Sequence, residues 1–246
     1  MLALNQSVIA RRRFLLASVS LMAAVPTIGC AQAYSGALPW SANANGSPKP
    51  VDPAGWTYFT PEEVAVIDAL VDRLIPADDL SPGGKDVGIT VYIDRQLSGP
   101  FGNDSWFYMS PPFQEGYPGQ GVQSPVTPAQ RYRKSIAALE TYCHGAYAGK
   151  GFAQIPPDEQ DKLIGQMEKG TLQLDKVSSK AFFQMLWQNT KEGFFADPVY
   201  GGNKDMAGWR MIGFPGARYD YRDWVTKYNQ PYPLPPIGIK THPDWS

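Results

Sequence analysis

The sequence predicts an all-α protein: a single helical domain with long irregular loops rich in Gly, Pro and aromatic residues, and extended arms at both ends. Three observations carry this expectation. Several segments place apolar residues three and four apart behind a capping residue and a proline, the pattern of amphipathic helices. No alternating apolar–polar run exceeds four or five residues, so no substantial strand is expected. The 24 glycines and 23 prolines among 246 residues demand long loops, yet stay below the ~25–30% that marks wholesale disorder.

Residues 1–33 read as an address rather than as fold. Arg11, Arg12 and Arg13 precede an apolar run from Phe14 to Ile28, broken only by Ser18, Ser20 and Thr27 as polar residues. That run is shorter than the ~20 residues a helix needs to span a bilayer, and Ala31-Gln32-Ala33 supplies a cleavage site. Arg11-Arg12, followed after one residue by Phe14-Leu15, has the pattern of a twin-arginine signal, whose route carries folded cargo. An ordinary secretory signal with three arginines is the alternative. Thr27-Ile28-Gly29-Cys30 is a poor lipobox. Cleavage after Ala33 would remove Cys30 and leave Cys143 as a buried small hydrophobe; if Cys30 stays, the two could pair in an oxidising compartment.

Residues 34–57, with their Pro, Gly, Ser and Asn, read as an extended arm leading into a helical domain over 58–230. Thr60-Pro61-Glu62-Glu63 combines a cap, a proline at the first helical position and a capping-box glutamate. Val64, Ile67, Leu70, Val71 and Leu74 follow at helical spacing, and Pro76 ends the run. After Pro82-Gly83-Gly84 a shorter helix is expected over Ile89–Leu97. Residues 99–127 have no periodicity but hold Phe101, Trp106, Phe107, Tyr108, Phe113 and Tyr117. Loops beyond ~12–15 residues are uncommon in compact domains unless functional or disordered, and rings argue for packing, on this domain or on a partner.

Thr127-Pro128-Ala129-Gln130 repeats the capping logic, with Tyr132, Ile136, Leu139, Cys143 and Tyr147 on one face of a helix to Ala148. Pro157–Met167 reads as a fourth helix, with Asp158 and Glu159 at its positive end. Ser178 caps a fifth, in which Phe182, Met185, Leu186 and Asn189 share a face to Phe195. From Ala196 onward the chain reads as turns and short pieces, closing in a Pro-rich tail over 231–246.

Composition excludes more than it nominates. Lys and Arg number 22 against 23 Asp and Glu, so no global field draws nucleic acid. Two His and two Cys rule out most zinc architectures, because a structural site takes about four N/S ligands and would have to use every one of them. No Gly-x-Ser-x-Gly elbow occurs, and Asp79 and His144 stand where a P-loop would need its first glycine. Glu140 replaces the first cysteine that haem attachment at Cys143-His144 would require. The acid pairs Asp78/Asp79 and Glu62/Glu63 could divide acid and base roles, but capping accounts for Glu63 and a turn for Asp78/Asp79. A stand-alone hydrolase or lyase using Asp78 or Asp197, and a carbohydrate-binding module using the aromatic loop, remain the alternatives to a non-catalytic chain.

Two blocks of residues then carry a resemblance. Phe59-Thr60-Pro61-Glu62-Glu63, Asp72-Arg73-Leu74-Ile75-Pro76 and a Gly-rich turn before Tyr92-Ile93-Asp94 form the first. The second runs from Gly193-Phe194-Phe195-Ala196-Asp197-Pro198-Val199-Tyr200-Gly201-Gly202-Asn203 to Gly208-Trp209 and Gly213-Phe214-Pro215-Gly216. Together, over roughly residues 56–218, they resemble the gluconate 2-dehydrogenase subunit 3 family.

The resemblance implies a non-catalytic small subunit of a periplasmic, membrane-associated dehydrogenase acting on a sugar or sugar acid, D-gluconate first among them. It implies no cofactor in this chain. FAD is expected in a large catalytic partner and haem c in a multihaem cytochrome partner, with export of the flavin subunit through the twin-arginine translocase assisted by the small one. Aromatic anchors are enriched at interface hot spots, which makes Phe194, Phe195, Asp197, Tyr200, Gly201, Gly202, Asn203, Trp209 and Phe214 the candidate partner interface, together with Trp106 and Phe107 of the aromatic loop. Packing of these loops on their own helices is the alternative reading.

Overall fold

The computed structural model describes residues 55–105, 111–114, 116–117, 124–218 and 220–239. The expected export signal with Arg11, Arg12, Phe14 and Leu15, most of the expected arm, Trp106, Phe107 and the end of the expected tail lie outside the described residues.

The described residues are mainly helical: α1 (Pro61–Leu74), α2 (Ile89–Ser98), α3 (Pro128–Ala146), α4 (Pro157–Lys169), α5 (Ser179–Phe195) and the short α6 (Ala207–Ile212). Capping explains the starts. Thr60 and Thr127 each accept from the backbone N–H three residues on, while Glu63 and Gln130 return the bond to the cap backbone. Ser178 accepts from Ala181 N–H at 3.2 Å. α3 stops at Ala146 rather than Ala148, because Ala148 and Gly149 turn left-handed at φ 52° and 82°. α4 runs on to Lys169, where left-handed Gly170 closes it.

A two-residue hairpin, β1 (Gln173–Leu174) against β2 (Val177–Ser178), joins α4 to α5. Its strands are too short to leave a periodic signal in the sequence. Among the described residues no helix is long and apolar enough to cross a membrane.

α5 packs against α1, α2, α3, α4 and α6, and α1 packs on α2 and α4. The core is filled by Ile67, Leu70, Ile93, Leu139, Leu163, Met167 and Leu186, among others. A run of edge-to-face rings crosses it, from Tyr58 to Phe59 at 5.2 Å, Phe59 to Tyr132 at 6.1 Å and Tyr132 to Phe182 at 5.5 Å. Each such pair adds ~0.5–1.5 kcal/mol beyond its buried area.

The chain entering α1 is fastened by Asp94 of α2. Its buried carboxylate accepts the backbone N–H groups of Thr57, Tyr58 and Phe59, each at 2.9 Å, and the Thr57 hydroxyl at 2.6 Å. Burial opposes the charge, but the converging donors outweigh it and hold the carboxyl below the usual aspartate range. Arg133 reinforces the same corner: it pairs with Glu63, donates to the Tyr58 carbonyl at 2.8 Å and lies 4.4 Å over the Tyr58 ring.

Asp94→Asn would present an N–H₂ group or a weaker neutral acceptor to these donors, at an expected cost of about 2–3 kcal/mol. Because the folded carboxyl titrates lower than the unfolded one, its contribution is complete above about pH 4 and fades as pH falls through the folded value. Urea unfolding of both proteins at pH 7 and near pH 3 checks this, since the gap between them should narrow in acid.

Candidate partner interface

The last turn of α5 leaves carbonyls without partners inside the helix, and the loop after it supplies them. Asn203 Nδ2 donates to the Ala196 carbonyl at 2.8 Å, and its Oδ1 accepts from Gly208 N–H at 2.9 Å. The Trp209 indole N–H donates to the Phe195 carbonyl at 2.7 Å. Asn203 is fully buried and Trp209 nearly so.

Close backbone approach explains the glycines. A Cβ on Gly202 would lie 2.2 Å from the Gly193 carbonyl oxygen, and one on Gly208 would lie 2.2 Å from that of Phe194. Gly193 in turn faces the Tyr92 ring, which a Cβ would approach to 3.0 Å. Asn203, Asp205 and Met206 take left-handed backbone at φ 49°, 56° and 56°, a strained run for residues with side chains. The bonds of Asn203, the burial of Met206 and a 2.9 Å bond from Lys204 N–H to the Val87 carbonyl hold it in place.

That last bond also joins the two sequence blocks. Gly88, left-handed at φ 81°, packs so closely under Gly201 that a Cβ would sit 2.8 Å from the Gly201 carbonyl oxygen. An open cleft of ≈ 470 Å³ lies along the seam, lined by Leu80, Asp86, Val87, Lys204, Asp205 and Arg210 among others. Its mixed charges favour neither sign of ligand.

The expected interface residues therefore divide. Phe194, Asp197, Gly202, Asn203 and Trp209 are buried within this chain, and Gly201 is half-buried. Asp197 is committed twice, its carboxylate accepting from Val199 N–H at 3.0 Å and from Ile239 N–H at 2.7 Å. Phe195, Tyr200 and Phe214 remain exposed, and the structure adds Met211 and Ile212 to them. Ile212 is 57% exposed and Phe214 43%. Phe214 leans edge-on against Trp209, their ring centres 5.2 Å apart, so an exposed apolar knuckle stands on a buried aromatic support. The sequence reading missed Met211 and Ile212 because a six-residue helix is too short to show a face.

The other candidate groups have structural roles. Asp78 accepts from Leu80 and Ser81 N–H at 2.8 and 3.0 Å in an exposed turn that also holds Asp79. Glu63 serves its cap and Arg133. His144 is exposed, 3.7 Å from Glu140. Cys143 is fully buried, and that burial, aided by the Glu140 charge, pushes its thiol up to about 12.

The family model described as gluconate 2-dehydrogenase subunit 3 matches residues 61–216. The chain belongs to this family. No curated protein and no solved structure shows a significant match to it. The matched span opens with α1 and ends at Gly216, so the caps at Thr127 and Ser178, the Gly-rich turn and the α5 closure lie within the family region. The family's description is that of one subunit of a dehydrogenase with several, which implies partner subunits.

Asn203→Ala would leave the Ala196 carbonyl and the Gly208 N–H unpaired in the interior, an expected loss of about 2–3 kcal/mol. Ile212→Ser, at the exposed knuckle, should change stability by less than about 0.5 kcal/mol. Chemical denaturation of the two variants separates supporting from presented residues. Cys143 should resist a disulfide thiol reagent at pH 8 in the folded protein and react fully in denaturant; rapid labelling of the native chain would contradict its burial.

Proposed function

We propose that this chain is the non-catalytic small subunit of a periplasmic, membrane-associated, FAD-dependent dehydrogenase that oxidises D-gluconate to 2-keto-D-gluconate. Membership of the subunit 3 family across residues 61–216 carries this reading. In it, the large subunit holds FAD and the substrate, a multihaem cytochrome c subunit takes the electrons onward, and this chain itself holds neither cofactor.

The small subunit binds the folded flavin subunit, stabilises it during maturation and supplies the export signal for both. Arg11-Arg12 with Phe14-Leu15 supports passage through the twin-arginine translocase, since that route accepts an assembled pair. Phe195, Tyr200, Met211, Ile212 and Phe214 offer the kind of exposed apolar surface that a permanent partner covers.

Co-expression of the tagged full-length chain with the flavin and cytochrome subunits tests the proposal. Purification from membranes should yield one complex showing flavin and haem absorbance and gluconate oxidation with an artificial acceptor. Deleting this chain should abolish periplasmic flavin-subunit activity, and Arg11→Lys with Arg12→Lys should leave that activity in the cytoplasm. A colourless, partnerless chain purified from cells with an active dehydrogenase would overturn the reading.

A further inference from the structure

The chain leaves the family match at Gly216 and comes back to it at Ile237. The two residues pair as a parallel bridge, with Ala217 N–H donating to the Ile237 carbonyl at 2.7 Å and Ile237 N–H to the Pro215 carbonyl at 3.3 Å. Two residues on, Ile239 N–H donates to the Asp197 carboxylate at 2.7 Å. These hydrogen bonds lay residues 237–239 across the closing motif as a strap.

Both landing points are shaped for it. Gly216 is left-handed at φ 80°, and a Cβ there would stand 2.1 Å from the Ile237 carbonyl oxygen. Gly238 is buried, and a Cβ on it would come to 3.1 and 3.2 Å from the two Asp197 carboxylate oxygens. With the strap in place Asp197 is only 9% exposed. The same carboxylate accepts Val199 N–H at 3.0 Å and so starts the 3₁₀ turn Pro198–Tyr200.

What holds the strap is polar and local. The bridge is a single residue pair outside any named strand. Ile237 is half-buried and Ile239 is 44% exposed, so neither side chain plugs the strap into the core. The excursion between Ala217 and Pro236 is braced from within. Tyr232 lies 5.9 Å from Tyr221 and 5.2 Å from Trp224, ring centre to ring centre, and the Arg218 guanidinium sits 5.2 Å over Tyr232 and donates to the Pro235 carbonyl at 2.5 Å. Segments with few buried apolar contacts and hydrogen bonds near solvent open well below the free energy of global unfolding. α5, packed against five other helices, lies at the opposite extreme.

We infer that residues 237–239 form a closable strap, which opens and shuts as a unit on the closing motif while the helical domain stays folded. Opening breaks the bonds to Pro215, Ala217 and Asp197 together, because all of them end on one three-residue segment. It frees the Asp197 carboxylate between Phe195 and Tyr200, both of which already stand exposed. Shut, the strap ties Asp197 to Pro215–Ala217 and holds the two ends of the second sequence block at a fixed spacing. The closing motif thus has two states that differ in access to Asp197, whatever the chain's role as a subunit.

Residue-resolved amide hydrogen exchange of the full chain at pH 7 tests this. The amides of Ala217, Ile237 and Ile239 should be protected at least tenfold over unfolded-chain rates and should exchange with one shared protection factor. They should still exchange at least a hundredfold faster than the interior α5 amides of Leu186 and Thr190. Gly216→Ala, which puts a side chain where the Ile237 carbonyl lands, should speed the Ile237 and Ile239 amides at least tenfold and change the α5 amides less than twofold. Asp197→Asn, which weakens the other landing point, should speed the same strap amides at least fivefold. Strap amides as slow as those of α5, or α5 amides accelerated in step with them, would make the strap an inseparable part of the core and overturn the inference. Strap amides unprotected in the wild type, or unmoved by both substitutions, would overturn it equally.

Discussion

Helix α5 touches every other helix among the described residues, so the way its last turn is closed governs what surrounds it. An uncapped end buried against protein would leave Phe195 and Ala196 with unsatisfied carbonyls, each costing ~1–3 kcal/mol. Trp209 and Asn203 meet that demand from a loop that must double back within about 3 Å of the helix backbone. Gly193, Gly202 and Gly208 are the positions where that doubling back leaves no room for a Cβ. The left-handed run at Asn203, Asp205 and Met206 then reverses the chain into α6. Where Ile212 and Phe214 stand in solvent is thus a consequence of how α5 ends.

α2 couples this closure to the other end of the chain. Its ten residues face three ways: Asp94 toward the segment entering α1, Tyr92 toward Gly193, and Val91 with Arg95 toward Gly201. A shift of α2 would disturb the Asp94 bonds and the glycine contacts together. The segment Thr57–Phe59 that enters α1 is therefore anchored on the same short helix that seats the closing motif.

The parts readable from sequence were those set by local chemistry. Caps at Thr60, Thr127 and Ser178 with the apolar spacing behind them locate three helices, and the turn Pro82-Gly83-Gly84 and Pro157-Asp158-Glu159 locate two more, because each signal lies within a few residues of what it controls. Asp94 belongs to the first sequence block, but its role is not legible there, since an aspartate in an amphipathic helix counts as a solvent-facing residue until the N–H groups of Thr57–Phe59 that meet it are known. The stem between Gly216 and Ile237 is likewise non-local, and nothing in either residue announces its partner. The aromatic-rich closing motif was recognised as important, but residue type alone could not sort its members. Trp209 is inside because its indole N–H has a helix carbonyl to serve, and Phe214 lies half outside on its face.

This sorting bears on what family membership means for the chain. Most of the closing motif is consumed internally: Gly193, Phe194, Asp197, Gly202, Asn203, Gly208 and Trp209 hold one another and the end of α5. Residues under that constraint identify a scaffold, because any chain with this closure needs them whatever it binds. Among the described residues of the motif and α6, the large apolar side chains that the closure leaves exposed are Phe195, Tyr200, Met211, Ile212 and Phe214. A rigid support beneath exposed apolar groups lowers the ordering cost of association. In the proposed complex a buried motif would therefore bear on binding without touching a partner, since it fixes the backbone from which the exposed side chains project.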